Sequence, residues 1–112
     1  MAPRGGPPLH VHYGQEETIH VLKGRYKVRI GDEISYIVEG GFAYLPSNVP
    51  HAFLNLTDQP GKVIVVYTPG GGHKFYEEFG KIARMGPPDP KVLGPIFTKY
   101  NMEMLGPPLT QD

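Results

Sequence analysis

Between residues 9 and 68 the chain is cut into seven apolar runs of four to seven residues, each closed by glycine, proline or a short polar stretch. The runs are LHVHY (9–13), TIHVLK (18–23), YKVRI (26–30), ISYIV (34–38), FAYL (42–45), HAFLNL (51–56) and KVIVVYT (62–68). They are rich in β-branched and aromatic residues, and none is long enough for a stable helix. The breaks carry turn chemistry: Gly31-Asp32 between two runs is a hairpin signal, and Pro46-Ser47-Asn48 and Gln59-Pro60-Gly61 are turn formers. Even spacing of short strands is the pattern of a sandwich or barrel, so an all-β domain is expected over about 9–68.

The texture changes after Pro69. HKFYEEFGKIAR (73–84) carries Phe75, Phe79 and Ile82 at helical spacing. Met85 to Pro88 breaks it, with Asp89 as the next N-cap and Pro90 at the first helical position. Residues 90–105 then read as a second helix, interrupted near Gly94-Pro95. Residues 73–105 thus form a short helical extension, too small to fold alone, packed on the barrel. A length of 112 residues makes one domain, residues 1–112. Gly and Pro number 15 and 13, a share at which disorder must be weighed, but the ordered runs between them make turn punctuation the better reading.

Eleven basic and eleven acidic residues leave no net charge, so a nucleic-acid partner is not expected. There is no cysteine, hence no disulfide or thiolate chemistry. No run approaches the length of a membrane span, and no signal pattern opens the sequence. A cytoplasmic protein without a membrane partner is the expectation.

Residues 10–20 hold His10, His12, Glu16, Glu17 and His20. On a strand His10 and His12 face the same way. On the next run Glu17, Ile19 and Val21 share a face, and His20 takes the other. His51 opens a later strand. Three imidazoles and a carboxylate on adjacent strands would make a mononuclear site for a divalent transition metal, with positions left open for a substrate. Each histidine taken singly reads better as an ordinary half-buried residue, and the case rests on the constellation.

Two stretches of the chain resemble the paired motifs of the cupin family. The first runs His10-Val11-His12, four residues, Glu17, six residues, Gly24. The second runs Gly40, five residues, Pro46-Ser47-Asn48, two residues, His51, three residues, Asn55. Asn48 stands where the family has glycine, a mild departure because asparagine also tolerates positive φ. The resemblance implies a jelly-roll β-barrel with short C-terminal helices, and His10, His12, Glu17 and His51 as ligands of one ion (Fe, Mn, Ni, Co or Zn). Glu17 is then a ligand or a catalytic base taking a substrate proton. Glu16 and His20 are bystanders, and Asn55 is structural.

The tail from Tyr67 through Leu109 resembles the small cupins described as quercetin-dioxygenase-like. That implies a dioxygenase acting on a small aromatic or enolisable substrate. Two alternatives stand beside it: a non-oxidative metal-dependent isomerase, lyase or cyclase, and a non-catalytic module that binds a small ligand. Strand parity makes Phe53 a candidate for the substrate pocket, and His73, beside the glycines at 70–72, a candidate for its mouth. Only nine residues precede His10, where the family has further strands. The barrel is then open on one side, completed by a partner, or short of an upstream portion. An unpaired edge invites pairing, so a homodimer is expected.

Overall fold

The computed structural model describes residues 3–70, 73–84 and 89–111. The sequence resolves into β1 (Pro8–His12), β2 (Glu16–Lys23), β3 (Tyr26–Ile30), β4 (Glu33–Ile37), β5 (Phe42–Leu45), β6 (His51–Asn55), β7 (Lys62–Thr68), α1 (His73–Ala83), α2 (Pro90–Lys99) and β8 (Met102–Pro108). Seven strands fall on the seven apolar runs, and α1 on the first helical pattern. The expected break at Met85–Pro88 lies outside the described residues. Asp89 caps α2 as its position predicts, accepting the Lys91 N–H at 2.9 Å.

The strands form two antiparallel sheets, β4-β3-β6-β1-β8 and β5-β2-β7. Their inner faces share one apolar core: Ile19 and Val21 from β2, Ala43 and Leu45 from β5, and Tyr26, Val28 and Phe53 from β3 and β6. This is the jelly-roll arrangement, and alternation along each strand produces it. Along β2 the interior positions Glu17, Ile19 and Val21 are buried, while Glu16, His20 and Leu22 are exposed. Gly61 is required at the closed end of the barrel, since a Cβ there would sit 2.0 Å from the Tyr26 hydroxyl oxygen.

The second helix is shorter than its sequence suggests. It stops at Lys99, Asn101 turns the chain with φ of 58°, and Met102–Pro108 leaves as a strand. Met102, Glu103, Met104 and Leu105 are acceptable helix formers, but they also alternate between covered and exposed positions. Pairing decides: β8 runs antiparallel along β1, with His12 opposite Met102 and His10 opposite Met104. The edge of β1 is therefore covered by the chain's own C-terminal strand. The helix also runs through Pro95 without the expected interruption. Pro95 and Lys91 are both exposed, so the Lys91 carbonyl that loses its helical donor can turn to water.

The helices pack on the barrel through a second apolar cluster of Phe75, Leu93, Phe97 and Met102. Among the described residues the outer face of β5-β2-β7 has no such cover, and Phe42, Tyr44, Ile64 and Val66 are about half-exposed or more on it. Among the described residues no helix is long and apolar enough to cross a membrane.

Candidate metal centre

Cross-strand register brings the candidate ligands together at one mouth of the barrel. His10 on β1 lies directly opposite His51 on β6, and His12 follows two residues along the same face. A turn fixes the end of β1. Asn48 adopts φ of 66°, its N–H reaches the His12 carbonyl at 2.8 Å, and its side chain accepts the Gly14 N–H at 3.2 Å. Asparagine thus fills the left-handed position that the resemblance assigns to glycine. At the other end of β6, Asn55 is fully buried and holds the following turn together, accepting from Thr57 N–H at 2.9 Å and donating to the Gln59 carbonyl at 2.9 Å. Its role is structural.

One ring nitrogen from each of His10, His12 and His51 lies within 4.8 Å of the other two, and all three residues are buried. The ring centroids are 4.5 Å apart for His10 and His51, and 5.1 and 5.2 Å for the pairs with His12. Glu17 lies at the edge of this trio. Its Oε2 is 3.1 Å from His51 Nε2 and 3.5 Å from His12 Nε2. The His10 Nδ1–H donates to the Pro8 carbonyl at 2.7 Å, which leaves Nε2 as the free lone pair.

The electrostatics suit an ion. Burial, with His51 adding to it, pushes the His10 pKa down to about 3, so its imidazole is neutral at neutral pH. Burial also lowers the His12 pKa, against the pull of Glu17. Three polar atoms that point at one another have no hydrogen-bond partner: His12 Nε2, His51 Nε2 and Glu17 Oε2. Buried polar atoms without partners are rare and costly. Neutral imidazole nitrogens and a carboxylate oxygen converging on one point are the donor set a divalent transition metal takes. The residues fit the group.

Beside the mouth lies a cavity of about 260 Å³, lined by His12, Tyr67, Tyr76, Tyr13, Gln15 and Tyr100 among others. Tyr67 sits opposite Glu17 in the β2–β7 register, and its hydroxyl meets that of Tyr76 on α1. Burial first, then the Glu17 charge, pushes the Tyr67 phenol far up, so it keeps its proton.

Phe53 points into the barrel but two residues deeper than His51, where it is part of the apolar core and not of the cavity wall. His73 is exposed at the first position of α1, and the cavity wall does not include it. His20 faces outward against Phe42, at 5.7 Å between ring centroids, and Glu16 is exposed. Tyr13, Tyr76 and Tyr100 reach the cavity only because α1, α2 and β8 fold back over the barrel. Their sequence positions carry no mark of it.

Comparison with known proteins places this geometry. The family described as Cupin domain matches residues 1–67, more than half of the chain. An uncharacterised protein of Methanocaldococcus jannaschii is 30% identical over 69 residues, covering 62% of this chain and 55% of that protein. The chain spans about half the length of the curated relatives it matches. A crystal structure from Thermus thermophilus superposes with a TM-score of 0.58 at 30% identity, over 62% of this chain and 66% of that one. A sugar phosphate isomerase from a cupin superfamily, from Silicibacter pomeroyi, does so with a TM-score of 0.56 at 27% identity, over 62% and 46%.

Proposed function

This chain belongs to the cupin domain family, and we propose that it is a metal-dependent enzyme acting on a small enolisable substrate. The observation that carries this reading is the convergence of partnerless His12 Nε2, His51 Nε2 and Glu17 Oε2 on a neutral His10. His10, His12, His51 and Glu17 would hold one Fe, Mn, Ni, Co or Zn ion. When bound, that ion supplies Lewis-acid polarisation of a substrate oxygen and, for a redox-active metal, a route to O2 chemistry.

The chain's own residues account for the proton. Glu17 is 2% exposed and does not line the cavity, whereas Tyr67 does. A proton leaving a substrate C–H or O–H is taken by the Tyr67 oxygen as Tyr67 passes its own to Glu17. Glu17 ends protonated, and Tyr67 is unchanged. The substrate is left as an enolate, from which two reactions follow. Oxygenation makes the enzyme a dioxygenase of the quercetin-dioxygenase-like kind. Return of the proton to a neighbouring carbon makes it an isomerase. The second reading draws support from the polar wall of the cavity and from the likeness to the sugar phosphate isomerase.

One pair of assays tests both. Deuterium uptake from D2O into an enolisable acid or sugar is expected with the metal-loaded chain, and oxygen consumption is added only in the dioxygenase. Neither signal with any of the five metals would remove the enzyme reading and leave a binding module.

A homodimer is proposed as the assembly, on the uncovered face of β5-β2-β7 rather than on the edge of β1. Glu16 lies at one end of that face and Lys62 at the other. A two-fold axis between them sets each Glu16 against the partner's lysine end. Sedimentation should show a dimer that Phe42→Lys dissociates, and a wild-type monomer at micromolar concentration contradicts it.

A further inference from the structure

The three candidate histidines do not hold their second ring nitrogen in the same way. His10 Nδ1 reaches the Pro8 carbonyl at 2.7 Å, and His51 Nδ1 reaches the Val49 carbonyl at 3.4 Å. Each acceptor stands two residues before its histidine. Pro8 opens β1 and Val49 lies in the turn before β6, so both carbonyls sit at strand ends. The same device is closed to His12. The residue two before it is His10, which pairs with His51 on one side and Met104 on the other. A carbonyl between two ladders is directed into them. His12 Nδ1 is buried and has no hydrogen-bond partner among the described residues.

An ion on these residues makes the difference count. A histidine ligand donates its other N–H to an acceptor, which fixes the tautomer and the aim of the ring and raises the basicity of the bound nitrogen. His12 Nε2 faces Glu17 Oε2 at 3.5 Å, so with an ion on Nε2 the proton stays on Nδ1. A buried N–H without an acceptor carries its full desolvation cost.

Gln15 is the side chain placed to accept that proton. It follows His12 by three residues, in the connection from β1 to β2, and lines the cavity beside it. Its amide N–H donates to the Pro69 carbonyl at 2.9 Å, which ties the side chain to the end of β7 and leaves Oε1 to accept. Burial lowers the His12 pKa and Gln15 pulls the other way, the direction given by an acceptor and not by a donor. Tyr67 also flanks the His12 ring, at 5.5 Å between centroids, but its hydroxyl is engaged with that of Tyr76.

We propose that Gln15 is the positioning residue of His12: its Oε1 takes the Nδ1–H and keeps Nε2 aimed at the ion, as the Pro8 and Val49 carbonyls do for His10 and His51. The inference rests on the metal-centre reading above and adds to it a residue that does not itself touch the ion.

Proton NMR of the cobalt(II)-loaded chain in H2O tests it, with cobalt affinity as a second readout. The ion shifts the imidazole N–H signals of its ligands away from the rest. An N–H held by an acceptor exchanges slowly and stays visible, whereas one open to the cavity is lost to water. Wild type should show three such signals. Gln15→Leu removes the acceptor, and should show two and bind cobalt about tenfold to hundredfold more weakly, the scale of losing an outer partner of a metal site. Gln15→Glu supplies a carboxylate acceptor and should recover the third signal. The wild-type spectrum needs no substitution, so it decides even where a variant fails to fold. Two signals in a wild-type chain that binds cobalt at one per chain defeat this inference alone. Three signals or wild-type affinity in Gln15→Leu, or no third signal in Gln15→Glu, overturn it as well. A wild-type chain that takes up no cobalt defeats the metal-centre reading and this inference with it.

Discussion

The barrel strands β1–β7 and the C-terminal segment α1–α2–β8 contribute different halves of the site. Every candidate metal ligand sits on a barrel strand, at a position set by pairing register. The segment contributes no ligand. It brings Tyr76, Lys99, Tyr100 and Met102 to the cavity wall, and β8 to the edge of β1. Each half has its own apolar cluster, one between the two sheets and one around Phe75, Leu93 and Phe97. The candidate ligand atoms are placed by the register of the barrel strands, whereas much of the cavity wall comes from a segment that reaches them through the pairing of β8 with β1.

Truncating one buried side chain in each half puts that division at risk. Phe53→Ala should cost about 3–5 kcal/mol and weaken ion binding with it, because Phe53 lies on the strand that carries His51. Leu93→Ala should cost about 2–5 kcal/mol, but as faster amide exchange in α1 and α2, with β6 still protected and ion affinity kept. Urea unfolding and hydrogen exchange read both. Loss of the ion in Leu93→Ala would erase the distinction between the halves.

Acid should act on the barrel half. Below pH about 6.5 the unfolded chain protonates His10, while the folded chain refuses that proton until about pH 3. Stability is therefore fully present above pH 6.5 and falls with pH through that window, by up to about 1.4 kcal/mol per unit from this residue. His12, also lowered, adds to the fall. Urea midpoints of the ion-free chain between pH 7 and 4 should show it, and His10→Gln should flatten it. An equal slope in the variant would assign the loss elsewhere.

The smallest effect sharpens the comparison at one turn. Asn48→Ala forces a β-carbon residue without a local hydrogen bond into the left-handed region, at about 1–2 kcal/mol, and loosens the anchor on His12. Asn48→Gly should restore stability. A neutral Asn48→Ala would mean that the turn does not hold β1 in place.

The barrel was legible in the sequence because its information is local. Period-two alternation and turn residues mark seven strands, and parity puts Glu17 with Ile19 and Val21 on the inner face. The ligand set was legible through two motifs whose spacing survives intact apart from Asn48. Parity reports a face and not a depth, so it could not separate His51 at the mouth from Phe53 in the core. β8 was hidden for another reason. Met102–Leu105 follows a helix and is built of helix formers, and the competing force is a partner strand about ninety residues away in sequence. The cavity wall depends on that same long-range pairing, so nothing in the sequence marks Tyr76 or Tyr100 as lining it.

Metal content per chain, on protein purified without chelator or metal affinity resin, tests the central claim most directly when wild type and His51→Ala are measured side by side. The account predicts close to one equivalent of a single transition metal in the wild type and almost none in a folded His51→Ala variant. A folded wild-type chain that holds no metal and takes up none of the five candidates, or a variant that retains its metal, would contradict it.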